Sequence, residues 1–379
     1  MKRYMGAVVL FMSAFVLLWS TLQFAPRASA AQQQQQPAAQ DANAGVPWAY
    51  GFATPIPAAP AAGRGGAAGG GAGRGGAAAA PATAAPAAPP PAPPEDVDAI
   101  RHVPGSTQAL SIKQVDDNQG PGDWFPEDHP KMPEIVAHGH KPAVNACGFC
   151  HYPNGKGRPN NAGPAGLPAG YILQQLEDFT TGARTSWDKR KRNTQQMIDI
   201  AKALTPEEAK AAAEYLSSMK WTPYIKVVEA ATVPKTYYAG GGGGLCLPFE
   251  GALAGMEPLG NRIVETPADV EQTEPLRNPR SGFIAYVPPG SLKKGEDLVV
   301  RGGNGKTLAC AACHGEGLKG NDKFPSLAGR SPSYLARQLS DFRRFARVGP
   351  GSQLMQPIVQ HLSDDDILNI VAYVGSLKP

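Results

Sequence analysis

The period of the apolar positions changes several times along this chain, and the changes divide it into stretches of different character. Near the end, Ile367, Ile370, Val371 and Val374 recur at helical spacing behind Ser363-Asp364-Asp365-Asp366, a hydroxyl and three carboxylates suited to the positive end of a helix. Thr205-Pro206-Glu207-Glu208 announces a matching helix 158 residues earlier (363 − 205 = 158). A second helix carries Tyr334, Leu335, Leu339 and Phe342, with Tyr171, Leu173, Leu176 and Phe179 as its counterparts. Shorter helices are expected around Leu292 to Val300 and Pro133 to His138. Between the two helical regions, Ile225-Lys226-Val227-Val228 and Arg262-Ile263-Val264-Glu265 read as short strands, while Gly240 to Gly244, Pro267, Pro275, Pro279, Pro288 and Pro289 break any long element. Phe283, Ile284, Tyr286 and Val287 are too apolar to leave in water. An extended connector packed over one or both helical regions is therefore expected.

Toward the N-terminus the periodicity is lost. From Gln32 to about Pro94 the chain is a Gln run followed by Ala, Pro and Gly, with almost no large apolar residues, and is expected to be a disordered tether. Ahead of it, Met1-Lys2-Arg3-Tyr4, an apolar run from about Met5 to Trp19, and Ala28-Ser29-Ala30 form the pattern of an export signal. An uncleaved anchor is the alternative, since the run extended to Phe24 approaches the roughly 20 residues that span a bilayer. Lys2, Arg3 and Arg27 lie in this segment, so 36 − 3 = 33 basic side chains face 32 acidic ones in the remainder. That near balance gives no basis for nucleic-acid binding.

Four of the five cysteines lie in Cys147-Gly148-Phe149-Cys150-His151 and Cys310-Ala311-Ala312-Cys313-His314. Two thiols three positions apart with a histidine directly after the second form the attachment signature of c-type haem, the sulfurs bonding the vinyl groups and the imidazole taking one axial position on iron. A zinc site is disfavoured, because a His adjacent to the second Cys is poorly placed for one closed tetrahedral site. A dithiol redox pair is disfavoured because no βαβ pattern surrounds either motif. The motifs repeat at an offset of 163 (310 − 147 = 163), and with them Gly166, Tyr171, Gln175, Leu176, Asp178 and Phe179 fall on Gly329, Tyr334, Gln338, Leu339, Asp341 and Phe342. After a five-residue contraction, Met197, Leu204, Thr205, Tyr215 and Ser218 fall on Met355, Leu362, Ser363, Tyr373 and Ser376. The chain thus carries a duplicated domain.

Iron needs a second axial ligand. Met355 is the one methionine after Met256, 41 residues beyond His314 (355 − 314 = 41), and a thioether there closes the coordination sphere as in His/Met cytochromes c. A single methionine is commonly core filler. The repeat nevertheless pairs Met355 with Met197, whereas Met219 pairs with Leu377 on the apolar end of the last helix. His138 or His140 as a ligand is the rival to Met197, but both precede the attachment motif, and His138 matches Arg301. With His102, His129 and His361 they are read as surface or supporting groups. A backbone carbonyl near Pro325 is expected to accept the N–H of His314; Ala162 occupies the matching position in the first copy. Of Arg330, Arg337, Arg343, Arg344 and Arg347, one or two are expected to pair with haem propionates and most to form a solvated face. Lys189-Arg190-Lys191-Arg192 is read as a solvated loop, with steering of an acidic partner as its functional alternative, and Cys246 as a buried inert thiol.

At these residues the sequence resembles the tandem di-haem members of the class I cytochromes c. The likeness covers both copies and rests on Cys147, Cys150, His151 and Met197 in one half, on Cys310, Cys313, His314 and Met355 in the other, and on Ser326-Leu327-Ala328-Gly329-Arg330. It implies an all-α fold of two class I cytochrome c domains, which the patterns above place at 96–221 and 290–379, after an N-terminal segment 1–30 and a tether 31–95 and on either side of a connector 222–289 with short strands. It further implies two covalently bound haems c and a periplasmic or exported electron carrier, soluble or membrane-tethered. Its partners would be a periplasmic dehydrogenase or quinol-oxidising complex on one side and a terminal oxidase or reductase on the other, with no nucleic acid and no membrane contact beyond an uncleaved anchor. A di-haem peroxidase-like enzyme is the alternative, as is a cytochrome subunit permanently bound to a dehydrogenase. The long tether and connector depart from the family pattern.

Overall fold

The computed structural model describes residues 45–53, 96–240 and 242–379. The N-terminal signal or anchor, and the expected tether apart from 45–53, lie outside these residues. Among the described residues no helix is long and apolar enough to cross a membrane.

The tether expectation needs correction at 45–53. Val46-Pro47-Trp48-Ala49-Tyr50 forms a short helix, α1 (Pro47–Tyr50), with proline at its start and a left-handed Gly51 closing it. Val46, Trp48 and Tyr50 are buried in the core of the second half. Composition averaged over 60 residues hid this island, whose large side chains each contribute about 1.5–3 kcal/mol on full burial.

The first half begins with the antiparallel pair β1 (Ile100–Arg101) and β2 (Leu110–Ser111), followed by α2 (Ile112–Val115). Val103, Val115, Trp124 and Phe125 form a small core there with Leu276 of the connector. Then come α3 (Glu134–Ala137), α4 (Cys147–His151), α5 (Ala169–Thr181), α6 (Arg192–Ala203) and α7 (Pro206–Ser218). Ile135 and Val136 of α3, Ile172 of α5, Ile200 of α6 and Leu216 of α7 meet in one apolar cluster. Each is spaced to bury one helix face.

The connector contains β3 (Ile225–Glu229), β4 (Thr232–Pro234), β5 (Thr236–Tyr238), β6 (Cys246–Pro248), β7 (Met256–Pro258), β8 (Val264–Pro267), α8 (Val270–Thr273) and β9 (Phe283–Val287). Strand order β3-β9-β8 makes a mixed three-stranded sheet, with β9 parallel to β3 and antiparallel to β8. The apolar run 283–287 is its central strand, with Phe283, Ala285 and Val287 buried at the period of two that a strand dictates. β4 pairs with β7 and β5 with β6. The halves are helical as expected, and these small sheets qualify the all-α assignment. The connector touches both halves: Glu265 accepts from Ser331 Oγ at 2.8 Å, and Arg158 pairs with Glu274 at 2.7 Å.

The second half comprises α9 (Ser291–Arg301), α10 (Ala311–His314), α11 (Pro332–Arg343), α12 (Ser352–Val359) and α13 (Asp364–Ser376). α9 and α13 cross so closely at Gly295 that an added Cβ would collide with the Asn369 carbonyl. Leu298, Val299, Ile367, Ile370, Val371 and Val374 fill the core between them.

Candidate haem sites

Each attachment motif folds as about one helical turn. α4 starts at Cys147, and Cys310 is the N-cap of α10, so residues three and four apart stand on one face and both thiols and the histidine can address one ligand. His151 Nδ1 donates to Ala162 O at 2.9 Å, and His314 Nδ1 donates to Pro325 O at 2.8 Å. A carbonyl only accepts, so the proton sits on Nδ1 and the Nε2 lone pair is left for a metal. The acceptor lies 11 residues on in both copies (162 − 151 = 11; 325 − 314 = 11). The proline of the second copy is thus dispensable for this bond. Burial holds both imidazoles below their ordinary range, assisted at His151 by Arg184, which favours the neutral ligating form.

In the first half these groups open onto a cleft of about 1280 Å³, counted with its mouth, where Cys147, Cys150 and His151 face Met197 and Ile200 of α6. Leu167, Ile172, Leu176, Phe179 and Leu216 supply apolar walls. Met219 instead caps the end of α7 inside the core and does not line the cleft. In the second half Met355 lies half-buried on α12 and packs, with Cys310, against the core. The histidines weighed as rivals lie elsewhere: His140 Nδ1 is 2.8 Å from Glu208, and His138 Nδ1 is 3.3 Å from Gln119 O. Burial pushes the Cys147 thiol up to about 12 and Cys310 to about 11, so neither is an activated thiolate. Cys246 is buried and also pushed up to about 12, in keeping with an inert thiol.

The far end of the first cleft is cationic and shared between the halves. Arg184 and Lys191 of the first half meet Tyr334, Arg337 and Gln338 of α11. Arg184 donates to Gln175 Oε1 and Gln338 Oε1, both at 3.0 Å, and Arg347 donates to the same two oxygens at 2.5 and 3.0 Å. Arg337 donates to Ala49 O at 2.6 Å, Pro159 O at 2.8 Å and Asn161 O at 3.2 Å. Tyr50 OH and the Trp187 N–H both donate to Asp341 Oδ1, at 2.7 and 2.8 Å. Arg184, Arg330, Arg337, Arg347 and Lys191 are all buried, which overturns the expected solvated face for three of the five arginines and the solvated loop at Lys191. These cations are met chiefly by neutral oxygens, an arrangement costly unless an anion completes it. A thiol pair, a neutral imidazole, a thioether, apolar walls and a cationic end together fit a haem with its two carboxylates.

One backbone feature separates the copies. The residue after the histidine has positive φ in both: Gly315 (φ 74°) in the second, but Tyr152 (φ 62°) in the first. Such a conformation in a bulky residue costs about 1–3 kcal/mol.

Residues 136–220 and 300–378 each match the cytochrome c family. Cytochrome c-554(548) of Halomonas halodenitrificans is 40% identical over 75 residues, which are 20% of this chain and 90% of that protein. The thiosulfate dehydrogenase electron acceptor of Stutzerimonas stutzeri is 26% identical over 242 residues, 63% of this chain and 82% of that one. The crystal structure of reduced recombinant cytochrome c4 from Pseudomonas stutzeri aligns with a TM-score of 0.39 at 24% identity, covering 61% of this chain and 93% of that one. The chain belongs to the cytochrome c family and is a di-haem class I cytochrome c. It binds two haems c covalently and serves electron transfer.

The sequence did not single out Arg184 or the Trp48–Tyr50 segment, and it placed Lys191 only within a basic run read as a solvated loop. The aromatic island between Gly45 and Phe52 was the one available signal; no local pattern marks a cation that is buried only when two halves meet.

Proposed function

We propose that Cys147 and Cys150 in a first domain, 96–221, and Cys310 and Cys313 in a second, 290–379, carry the thioether bonds, and that His151 with Met197 and His314 with Met355 hold the two irons. The bound haems supply two one-electron couples. The protein residues do the rest: the carbonyls of Ala162 and Pro325 orient the imidazoles, the Met197 and Met355 thioethers would each complete the ligand set of one iron, and the apolar walls would exclude water. Ligands retained in both oxidation states would leave little rearrangement to accompany each transfer.

The observation that carries this reading is the matched pair of imidazole bonds, 2.9 Å to Ala162 O and 2.8 Å to Pro325 O, at the same register in both copies. The cationic end of the first cleft, Arg184, Lys191 and Arg337, is proposed to receive propionates. The chain is taken to be an exported, periplasmic carrier, on the strength of its N-terminal pattern. A dehydrogenase of the kind served by the Stutzerimonas relative is the proposed electron donor, and an oxidase or reductase the acceptor.

Mixing the ferrous protein with carbon monoxide tests the coordination. No spectral change at neutral pH is expected. Binding at one haem would reveal an open position and favour the peroxidase-like alternative, which peroxide turnover would then establish. A pyridine haemochrome titration should return two haems per chain.

A further inference from the structure

We infer that Arg330 is a positioning residue that ties together the two loops on which the haem-motif histidines rest, so that the orientation of both imidazoles depends on one guanidinium. The inference builds on the proposed ligation by His151 and His314.

Arg330 is 4% exposed. Its Nε donates to Ser326 O at 2.7 Å and its Nη2 to Ser326 Oγ at 2.7 Å, within its own half. Across the seam, Nη1 donates to Gly163 O, and Nη2 also reaches Ala165 O at 3.0 Å. The positions are telling. Ser326 directly follows Pro325, whose carbonyl accepts from His314, and Gly163 directly follows Ala162, whose carbonyl accepts from His151. In both loops the gripped carbonyl is one peptide beyond the one that holds the imidazole. A shift of either loop would therefore turn the carbonyl that aims the ring.

The guanidinium lies over Trp221, with its central carbon 4.5 Å from the ring centroid. Burial lowers its pKa to about 10, so it stays charged at neutral pH. A planar fork of five N–H donors can serve several carbonyls at fixed angles; the single ammonium of lysine cannot. The device is not a consequence of the duplication. At the offset of 163 the first copy has Leu167 in this place (330 − 163 = 167), so the bridge is one-sided and built from the second half alone.

The test uses the full-length, haem-loaded ferric protein and reads the hyperfine-shifted haem-methyl proton resonances and the low-spin g values, both of which report the orientation of the axial imidazole. Arg330→Lys keeps the charge and removes the fork; Arg330→Leu installs the residue of the first copy. Arg301→Leu, at an exposed arginine paired with Asp297 on α9, is the control. Resonances of both haems should move in Arg330→Lys with two haems still bound and with the methionine-ligation band intact, while the control overlays the wild type. Movement confined to one haem, or none, overturns the bridge. If Arg330→Leu fails to accumulate, Arg330→Lys alone still decides. Error in the ligand assignment would show separately, as a wild-type protein without the methionine band.

Discussion

The two halves hold equivalent histidines by equivalent bonds, yet they are supported differently. The loop beneath His314 is braced from within its own half: Asn321 Nδ2 donates to Cys313 O at 3.0 Å, and Phe324 stands edge-on to the imidazole at 6.1 Å. The loop beneath His151 has local braces too, Asn161 Nδ2 to Cys150 O at 3.2 Å and Asn193 Nδ2 to Asn161 Oδ1 at 2.5 Å, and in addition it leans on the second half, through Arg337 to Pro159 O and Asn161 O and through Arg330 to Gly163 O and Ala165 O. The offset of 163 places Gln174 and Leu167 opposite those arginines (337 − 163 = 174), so neither guanidinium has a counterpart in the first copy. Duplication thus supplied two similar haem folds, and divergence gave the second half two buried guanidinium braces on the first that the first copy lacks at the matching positions.

The comparison is broken most directly at the iron. Met197→Ala and Met355→Ala should each remove one half of the far-red band of methionine-ligated ferric haem and lower the midpoint potential of one haem, leaving the other in place. Loss of that band in Met219→Ala instead would reverse the assignment. Next in size, Trp48→Ala empties a buried site in the second half's core and should cost about 3–5 kcal/mol in denaturant unfolding. Because Ala49 O also holds Arg337, this change in the α1 segment should loosen the first haem as well as the second. Arg337→Gln, which installs the residue of the other copy, leaves three carbonyls short of a donor and should cost about 2–3 kcal/mol, felt more strongly at the first haem. Equal spectral change at both haems would contradict the asymmetry.

Local signals were what the sequence could convey. The attachment motifs, the capped helices and the carbonyl near Pro325 are all written within a dozen residues, and each appears in the structure close to where its pattern stands. Strand β8 is displaced by two residues from the apolar run that announced it, 264–267 in place of 262–265, because pairing with β9 sets its limits. What composition could not convey is partnership. Arg330, Arg337 and Lys191 look like surface charges until a second half covers them, and Gly240 to Gly244 looks like a mere breaker. Gly243 in fact sits against the Tyr50 carbonyl, where an added Cβ would clash, so part of that glycine run lets α1 dock. The seven residues from Val46 to Phe52 were lost to averaging for the same reason: their meaning depends on a groove that other segments build.

The smallest difference between the halves lies at the entry of their last helices and is read by pH. Thr205 and Ser363 each accept a backbone bond from the residue three on, at 3.2 and 3.1 Å, while Glu208 and Asp366 return a bond from the capping residue's N–H at 2.8 and 3.0 Å. Glu208 is held below its ordinary range of 4.5 chiefly by that Thr205 N–H, with His140 assisting. At Asp366 burial works in the opposite direction, yet the Ser363 N–H and Lys306 together keep it below 3.8. A carboxyl whose folded pKa is depressed contributes stability that is present above its unfolded value and fades as pH falls through the folded one. Both contributions should therefore be intact near neutrality and vanish in acid. Thr205→Ala and Ser363→Ala should each cost about 1 kcal/mol at neutral pH. Glu208→Gln should be mild, since its own side chain is 26% exposed, whereas Asp366→Asn, at a carboxylate only 11% exposed and bonded to Lys306, should be the larger loss. Denaturant midpoints taken near neutral pH and again below the carboxylate range should show Glu208→Gln and Asp366→Asn converging on the parent in acid, whereas Thr205→Ala and Ser363→Ala, whose hydroxyls accept from a backbone N–H and do not titrate, keep their deficit. A larger effect at Glu208 than at Asp366 would mean that the first half, for all its dependence on the second, relies more on its own helix entry.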